Sequence, residues 1–244
     1  MNSRNEKWNR RKHRQPRLIF APLAWLKLQF LCHLGDTEIG GFGITAKDDL
    51  LYVEDFVTVR QRTSMVTVAM DDQAVADFTD RCVDTGLPPQ RFLRVWCHTH
   101  PGSSPLPSGT DEDTFSRVFG SCDWAVMFIV SRTCETYARL SFHVGPGSAV
   151  QFPVSVDWSA WPAALADPKM PPATLLTAWQ QEFAANIQSV PEALPMLSPA
   201  SVDPSVTGSP WEPFADTWDW TDLDQELLED FERHERYLND NYRP

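Results

Sequence analysis

The 244-residue chain is 42% hydrophobic and 22% charged, ordinary proportions for a soluble globular protein with one sizeable domain plus extensions. Its formal charge of −12 sets it against phosphate backbones and so argues against nucleic-acid binding. The five cysteines, at 32, 82, 97, 122 and 134, form no C-x-x-C pair; this excludes a disulfide framework and a structural zinc ribbon, and fits a reducing cytoplasm.

Residues 1–17 are polar and carry seven Lys/Arg against one Glu, which reads as a basic disordered arm. The apolar run that follows is broken by Lys27 and Gln29 and lacks a small-x-small cleavage site, so it is not a signal peptide. No run of 18 apolar residues exists, which argues against a membrane span. Leu26, Phe30 and Leu34, with Leu23 and Leu31 beside them, recur at helical spacing and predict a core-facing helix over about 23–34, ended by Gly35. "EIGGFGIT" (38–45) and "LLYVEDFVTVR" (50–60) read as strands, the glycines of the first allowing close backbone approach. A helix is expected over 71–86, a strand over 91–100, and a helix over 110–120 with Thr110 and Asp113 at capping-box spacing. "DWAVMFIVSR", "TYARLSFHV" and "AVQFPVSVDW" predict three further strands ending near 158. Strands mixed with helices imply an α/β or α+β domain over 18–165, a mixed sheet flanked by helices. Beyond it come a helical extension (166–187), a linker (188–210) with five prolines and no Lys or Arg, and an acidic, aromatic tail (211–244). Leu223, Leu227 and Phe231 of the tail lie four apart, a helical stripe that suits docking against this chain or a partner.

The segment "HTHPGSSPLPSGTD" runs from His98 to Asp111. Residues two apart on a strand point the same way, so His98 and His100 present both imidazoles to one side and Thr99 to the other. Asp111 falls where a helix starts, and the positive end of that helix favours an ionised carboxylate. Two imidazoles and one carboxylate make a three-ligand zinc set with a fourth position open, the pattern of a catalytic rather than a structural site. Taken alone, each residue has a plainer reading: a satisfied histidine, or a Ser108 and Asp111 that simply cap the helix.

The spacing H-x-H, seven residues, S-x-x-D, preceded by a glutamate, resembles the JAMM (MPN-plus, or JAB domain) metalloprotease motif, with His98, His100, Ser108 and Asp111 all in place. The resemblance covers about 20–157 and leaves 158–244 unmatched. It implies a JAMM/MPN-like curved sheet, broadly similar to that of cytidine deaminases. It also implies one Zn2+ per chain held by His98, His100 and Asp111, Glu38 as general acid/base, and Ser108 stabilising the oxyanion. Glu54, in "VEDF", is the competing base. Glu38 is preferred because Gly40 and Gly41 beside it clear space for a substrate backbone. The implied substrate is a peptide or isopeptide bond at the C-terminus of a ubiquitin-like protein, with a conjugation-system partner for the acidic tail and a cytoplasmic setting. Zinc amidase activity on small molecules or short peptides is one alternative. A non-catalytic MPN-type scaffold is another, disfavoured by the complete ligand set. A zinc nucleobase deaminase is excluded because H-x-E and P-C-x-x-C are both missing. Glu112, Asp113, Cys97, His33 and His143 carry no comparable pattern, and Cys97 alternates away from the ligand face.

Overall fold

The computed structural model of the chain describes residues 16–161 and 172–190. Residues 1–15 of the basic arm, 162–171 including the start of the helical extension, almost all of the Pro-rich linker and the whole acidic tail lie outside the described residues. The elements run β1 (Leu18–Phe20), α1 (Pro22–Leu34), β2 (Ile39–Thr45), β3 (Tyr52–Val57), β4 (Gln61–Thr63), β5 (Val68–Met70), α2 (Asp72–Asp84), β6 (Val95–His100), α3 (Gly109–Phe119), β7 (Trp124–Ser131), β8 (Thr136–Phe142), β9 (Ser148–Gln151), β10 (Val154–Val156), α4 (Pro172–Asn186) and β11 (Ile187–Ser189). This is a mixed α/β architecture. An eight-stranded sheet has the order β10-β1-β3-β2-β6-β7-β8-β9, and β11, β4 and β5 form a small second sheet. Among the described residues, no helix is long and apolar enough to cross a membrane.

The large sheet is curled, and the chain path around Pro153 joins its two ends. Residues 149–158, expected as a single strand, divide at Phe152–Pro153. Phe152 still donates to the Ala138 carbonyl (3.0 Å) and so continues the β8 ladder. Pro153 has no N–H, and its carbonyl instead accepts from Leu18 at 3.0 Å as the chain passes to β1. Two consecutive strands thus occupy opposite ends of the sheet order, which requires the sheet to roll toward itself.

Both sheet faces are buried, and the alternation of β6 and β7 shows how. Val95, Cys97, Val126, Phe128 and Val130 join α1 in one core, whereas Trp96, Ala125, Met127 and Ile129 join Phe78 of α2 and Phe115 and Phe119 of α3 in the other. Helix α1 starts at Pro22, a residue suited to the first turn because its missing N–H has no intrahelical partner. Its buried residues are Pro22, Ala24, Lys27, Leu28, Leu31 and Cys32, so of the apolar residues expected to face the core Leu31 is buried and the Leu26–Phe30–Leu34 stripe is not. The reason is that α1 is covered twice. The sheet takes one face, and α4 takes Phe30, whose ring lies 5.7 Å from that of Trp179.

Lys27, which seemed to interrupt the apolar run, reaches Glu182 of α4 at 2.8 Å and Asp55 of β3 at 3.4 Å. Glu182 also accepts from the backbone N–H and hydroxyl of Thr58. Residues 172–190 therefore pack into the body instead of extending from it. The first residues assigned to the linker continue strand β11, which pairs in parallel with β4. The β4–β5 hairpin was not foreseen, because three-residue strands leave almost no periodic trace.

Candidate metal centre

Strand β6 lies between β2 and β7, with Gly40 opposite His98 and Ile39 opposite Thr99. The period-2 rule holds here: Trp96, His98 and His100 share a face, and the Nε2 atoms of the two histidines are 3.2 Å apart. Trp96 stacks on the His98 ring at 4.4 Å and 28°, so the fully buried His98 is fixed by packing. His100 is fixed by a hydrogen bond. Its Nδ1 lies 2.9 Å from the Ser104 carbonyl, an acceptor that requires N–H there and leaves the Nε2 lone pair free.

Asp111 reaches the pair from α3. The helix begins at Gly109 with Ser108 as N-cap, so the capping box is Ser108–Asp111 and not the expected Thr110–Asp113. Oδ2 of Asp111 accepts from both the Ser108 N–H and the Ser108 hydroxyl at 2.8 Å. Oδ1 then faces His98 Nε2 at 3.1 Å, and Oδ2 is 3.5 Å from His100 Nε2. Capping the helix and facing the two imidazoles are therefore combined in one carboxylate, and the Ser108 hydroxyl is spent on orienting it.

These distances test whether a metal fits. Ligand atoms about 2.0–2.1 Å from a tetrahedral zinc ion stand roughly 3.3 Å from one another. The two imidazole Nε2 atoms are 3.2 Å apart and His98 Nε2 is 3.1 Å from Asp111 Oδ1, whereas the 3.5 Å approach of His100 is to the other carboxylate oxygen, Oδ2; with one atom taken from each residue, the three side chains lie within 4.8 Å of one another and form a group able to hold an ion. Protonation suits it as well. Burial pushes the His98 imidazole pKa down, opposed by Asp111, and so favours the neutral ligand form. Burial alone would raise the Asp111 pKa, but hydrogen bonds from the surrounding groups, His98 and the Ser108 N–H among them, overcome this and hold the carboxyl well below the usual range. Among the described residues His98 Nδ1 has no partner. Without a metal the His98 proton is best placed on Nε2 against Asp111, the position a divalent ion would take over.

Glu38 immediately precedes β2 and its side chain is buried, with Oε1 3.6 Å from His100 Nε2. Burial, reinforced by the charge of Asp111, raises its pKa well above the usual carboxylate value. Its N–H donates to the Ser64 carbonyl at 2.8 Å, fastening the β4–β5 turn beside the site. Glu54, the competing base, stands half-exposed on β3 in an ion pair with Arg91 at 2.8 Å, outside this cluster. The reason given for preferring Glu38 needs correction, however. A Cβ on Gly40 would come within 2.7 Å of Val68 and 2.9 Å of Met70, and one on Gly41 within 2.4 Å of the Val57 carbonyl. Both glycines make room for the protein's own packing, so it is proximity to the histidines that singles out Glu38.

Cys97 faces the opposite core, where burial pushes its thiol pKa up. His33 and His143 bond to the carbonyls of Gln29 and Cys122, away from the cluster. Trp96 was missed, although its position two residues before His98 on a strand was a usable signal. Arg132 gave none. Its backbone N–H donates to the His100 and Gly102 carbonyls at 3.0 and 3.1 Å, and its guanidinium donates to the Gly35 carbonyl. One residue thereby joins the end of β6 to the segment leading into Glu38. No protein-family model matches the chain, and no curated protein matches it.

Proposed function

We propose that this chain is a zinc-dependent hydrolase of the JAMM/MPN kind that cuts a peptide or isopeptide bond at the C-terminus of a ubiquitin-like protein. The observation that carries the reading is the convergence of His98, His100 and Asp111 at metal-ligand spacing, with a buried glutamate 3.6 Å from one ligand. The H-x-H…S-x-x-D motif supplies the family and the substrate class, and the mixed curled sheet is compatible with both.

In this reading His98, His100 and Asp111 hold one zinc ion. Such an ion supplies Lewis acidity, polarising a carbonyl and making water nucleophilic near neutral pH. Glu38 accepts the proton of the attacking water and delivers it to the leaving amine. Its raised pKa suits it to both steps, because a general base works best with a pKa near the working pH. Ser108 holds Asp111 through its N–H and hydroxyl, which makes it a positioning residue before any contact with an oxyanion. Trp96 and the Ser104 carbonyl fix the two imidazoles.

The test is incubation of the zinc-loaded full chain with ubiquitin-like fusions, read by intact mass. Cleavage at the end of the ubiquitin-like domain is expected, and Glu38→Gln should abolish it while zinc stays bound. Zinc-loaded chain that cleaves short amides but no fusion moves the reading to small-substrate amidase activity.

A further inference from the structure

The carboxylate of Asp111 is locked to α3 by the capping box, but its distance from His98 depends on where α3 lies across the sheet. The apolar part of that placement is plain: the rings of Phe115 and Phe119 each lie 6.3 Å from that of Trp96. The polar part comes from two strands away. Trp96, Met127 and Arg139 form one cross-strand row over β6, β7 and β8. Helix α3 lies over this row. Arg139 Nη1 and Nη2 donate to Glu112 Oε1 and Oε2 at 2.5 and 2.6 Å, a bidentate fork, and its guanidinium sits 5.4 Å from the Phe115 ring centre. Glu112 is the residue after Asp111, and Trp96 is two residues before His98. The clamp therefore fixes the helical turn that carries one ligand against the sheet row beside the strand that carries the other two.

We propose that Arg139 and Glu112 form a positioning clamp for the metal centre, setting the approach of Asp111 to His98 and His100 and hence the affinity for zinc. This rests on the metal reading given above. As a merely structural contact, a partly exposed ion pair is worth little to stability. As an outer support of a ligand, its loss should weaken metal binding by about 10–100-fold. The two roles thus predict different measurements.

The experiment compares full-length wild type, Arg139→Gln, Glu112→Gln and Arg139→Lys. The readouts are zinc affinity by chelator competition, the ligand-field spectrum of the cobalt-loaded protein, and thermal unfolding of the metal-free forms. Arg139→Gln and Glu112→Gln should bind zinc at least about tenfold more weakly, with an altered cobalt spectrum and near-wild-type metal-free unfolding. Arg139→Lys should recover only part of the affinity, because an ammonium cannot fork. Arg91→Gln is the control. It breaks the 2.8 Å pair with Glu54, which holds neither Asp111 nor a histidine, and should leave zinc affinity unchanged. If both Gln variants bind zinc within about twofold of wild type, or Arg91→Gln weakens binding as much as they do, the clamp is refuted. Wild type that binds no zinc removes the metal reading itself, and the clamp with it.

Discussion

Metal linkage gives the sharpest stability prediction, and the geometry selects the variant that isolates it. His98 is fully buried against Trp96, so replacing it by alanine opens a core cavity and destabilises the chain whether or not metal is present. His100, partly exposed and held by one hydrogen bond to Ser104, is the better choice. The two imidazole nitrogens and one Asp111 oxygen beside His98 already stand near the roughly 3.3 Å separation expected around zinc, so binding needs only a modest adjustment of the carboxylate toward His100. Zinc at 100 times its Kd should stabilise the folded chain by about 2.7 kcal/mol. For a body of this size that raises Tm by roughly 5–11 °C. Scanning calorimetry of chelator-stripped protein with and without zinc measures the shift. His100→Ala should melt near the metal-free wild type and show almost no response to zinc. An equal zinc shift in His100→Ala, or none in wild type at saturating zinc, would refute the three-ligand assignment.

Glu38→Gln should lose all turnover and Glu54→Gln very little, since Glu54 stands in a surface pair with Arg91; the reverse outcome in a fusion-cleavage assay defeats the choice of base. In metal-free protein the folded-state pKa of Glu38 is raised, so the stability it contributes is full below the unfolded value of about 4.3 and is lost as pH rises through the folded value. Glu38→Gln should accordingly raise the metal-free Tm at pH 8 more than at pH 5, and a difference independent of pH refutes the burial argument. Ser108→Ala should cost about 1 kcal/mol by losing the cap and should also weaken zinc binding, with Ser108→Thr restoring both; urea titration and chelator competition read the two effects. Lys27→Met leaves Asp55 and Glu182 facing each other without their cation and should cost about 1–3 kcal/mol by urea titration, the partial exposure of Asp55 keeping the loss below that of a fully buried pair.

What was legible in the sequence was whatever depends on local period. The alternation of β6 determines that His98 and His100 share a face, and three-residue spacing at a helix start determines that Ser108 and Asp111 meet. Glu38 was legible only through the family resemblance, because what makes it part of the site is the register that sets Ile39 opposite Thr99, sixty residues away. Arg139 was invisible for the same reason. A lone arginine on a strand carries no mark of the helix that will lie over it. The buried face of α1 was misjudged because a single amphipathic stripe assumes one covering surface, whereas the sheet and α4 cover this helix from two sides. The division at Pro153 was present in the sequence as a residue without an N–H, yet only the pairing of β10 with β1 gives that residue its effect on the sheet.

The same distinction explains how His98, His100 and Asp111 come to lie together. Each ligand is oriented by a neighbour close in sequence: His98 by Trp96, His100 by the Ser104 carbonyl, and Asp111 by Ser108. Local chemistry thus sets the direction of each side chain, and the tertiary fold has only to set the separation between β6 and α3. Ring stacking of Phe115 and Phe119 on Trp96 resists compression of that gap, while the Glu112–Arg139 fork sets where α3 lies along the sheet. Glu38 is held differently, by its own N–H on Ser64 and by a strand register, with no side-chain hydrogen bond among the described residues. A buried carboxylate in that condition is poorly solvated and costly to ionise. The cluster therefore combines three firmly oriented side chains with one loosely satisfied acid, which under the proposed function is the combination expected where ligands must stay still and an acid must exchange a proton.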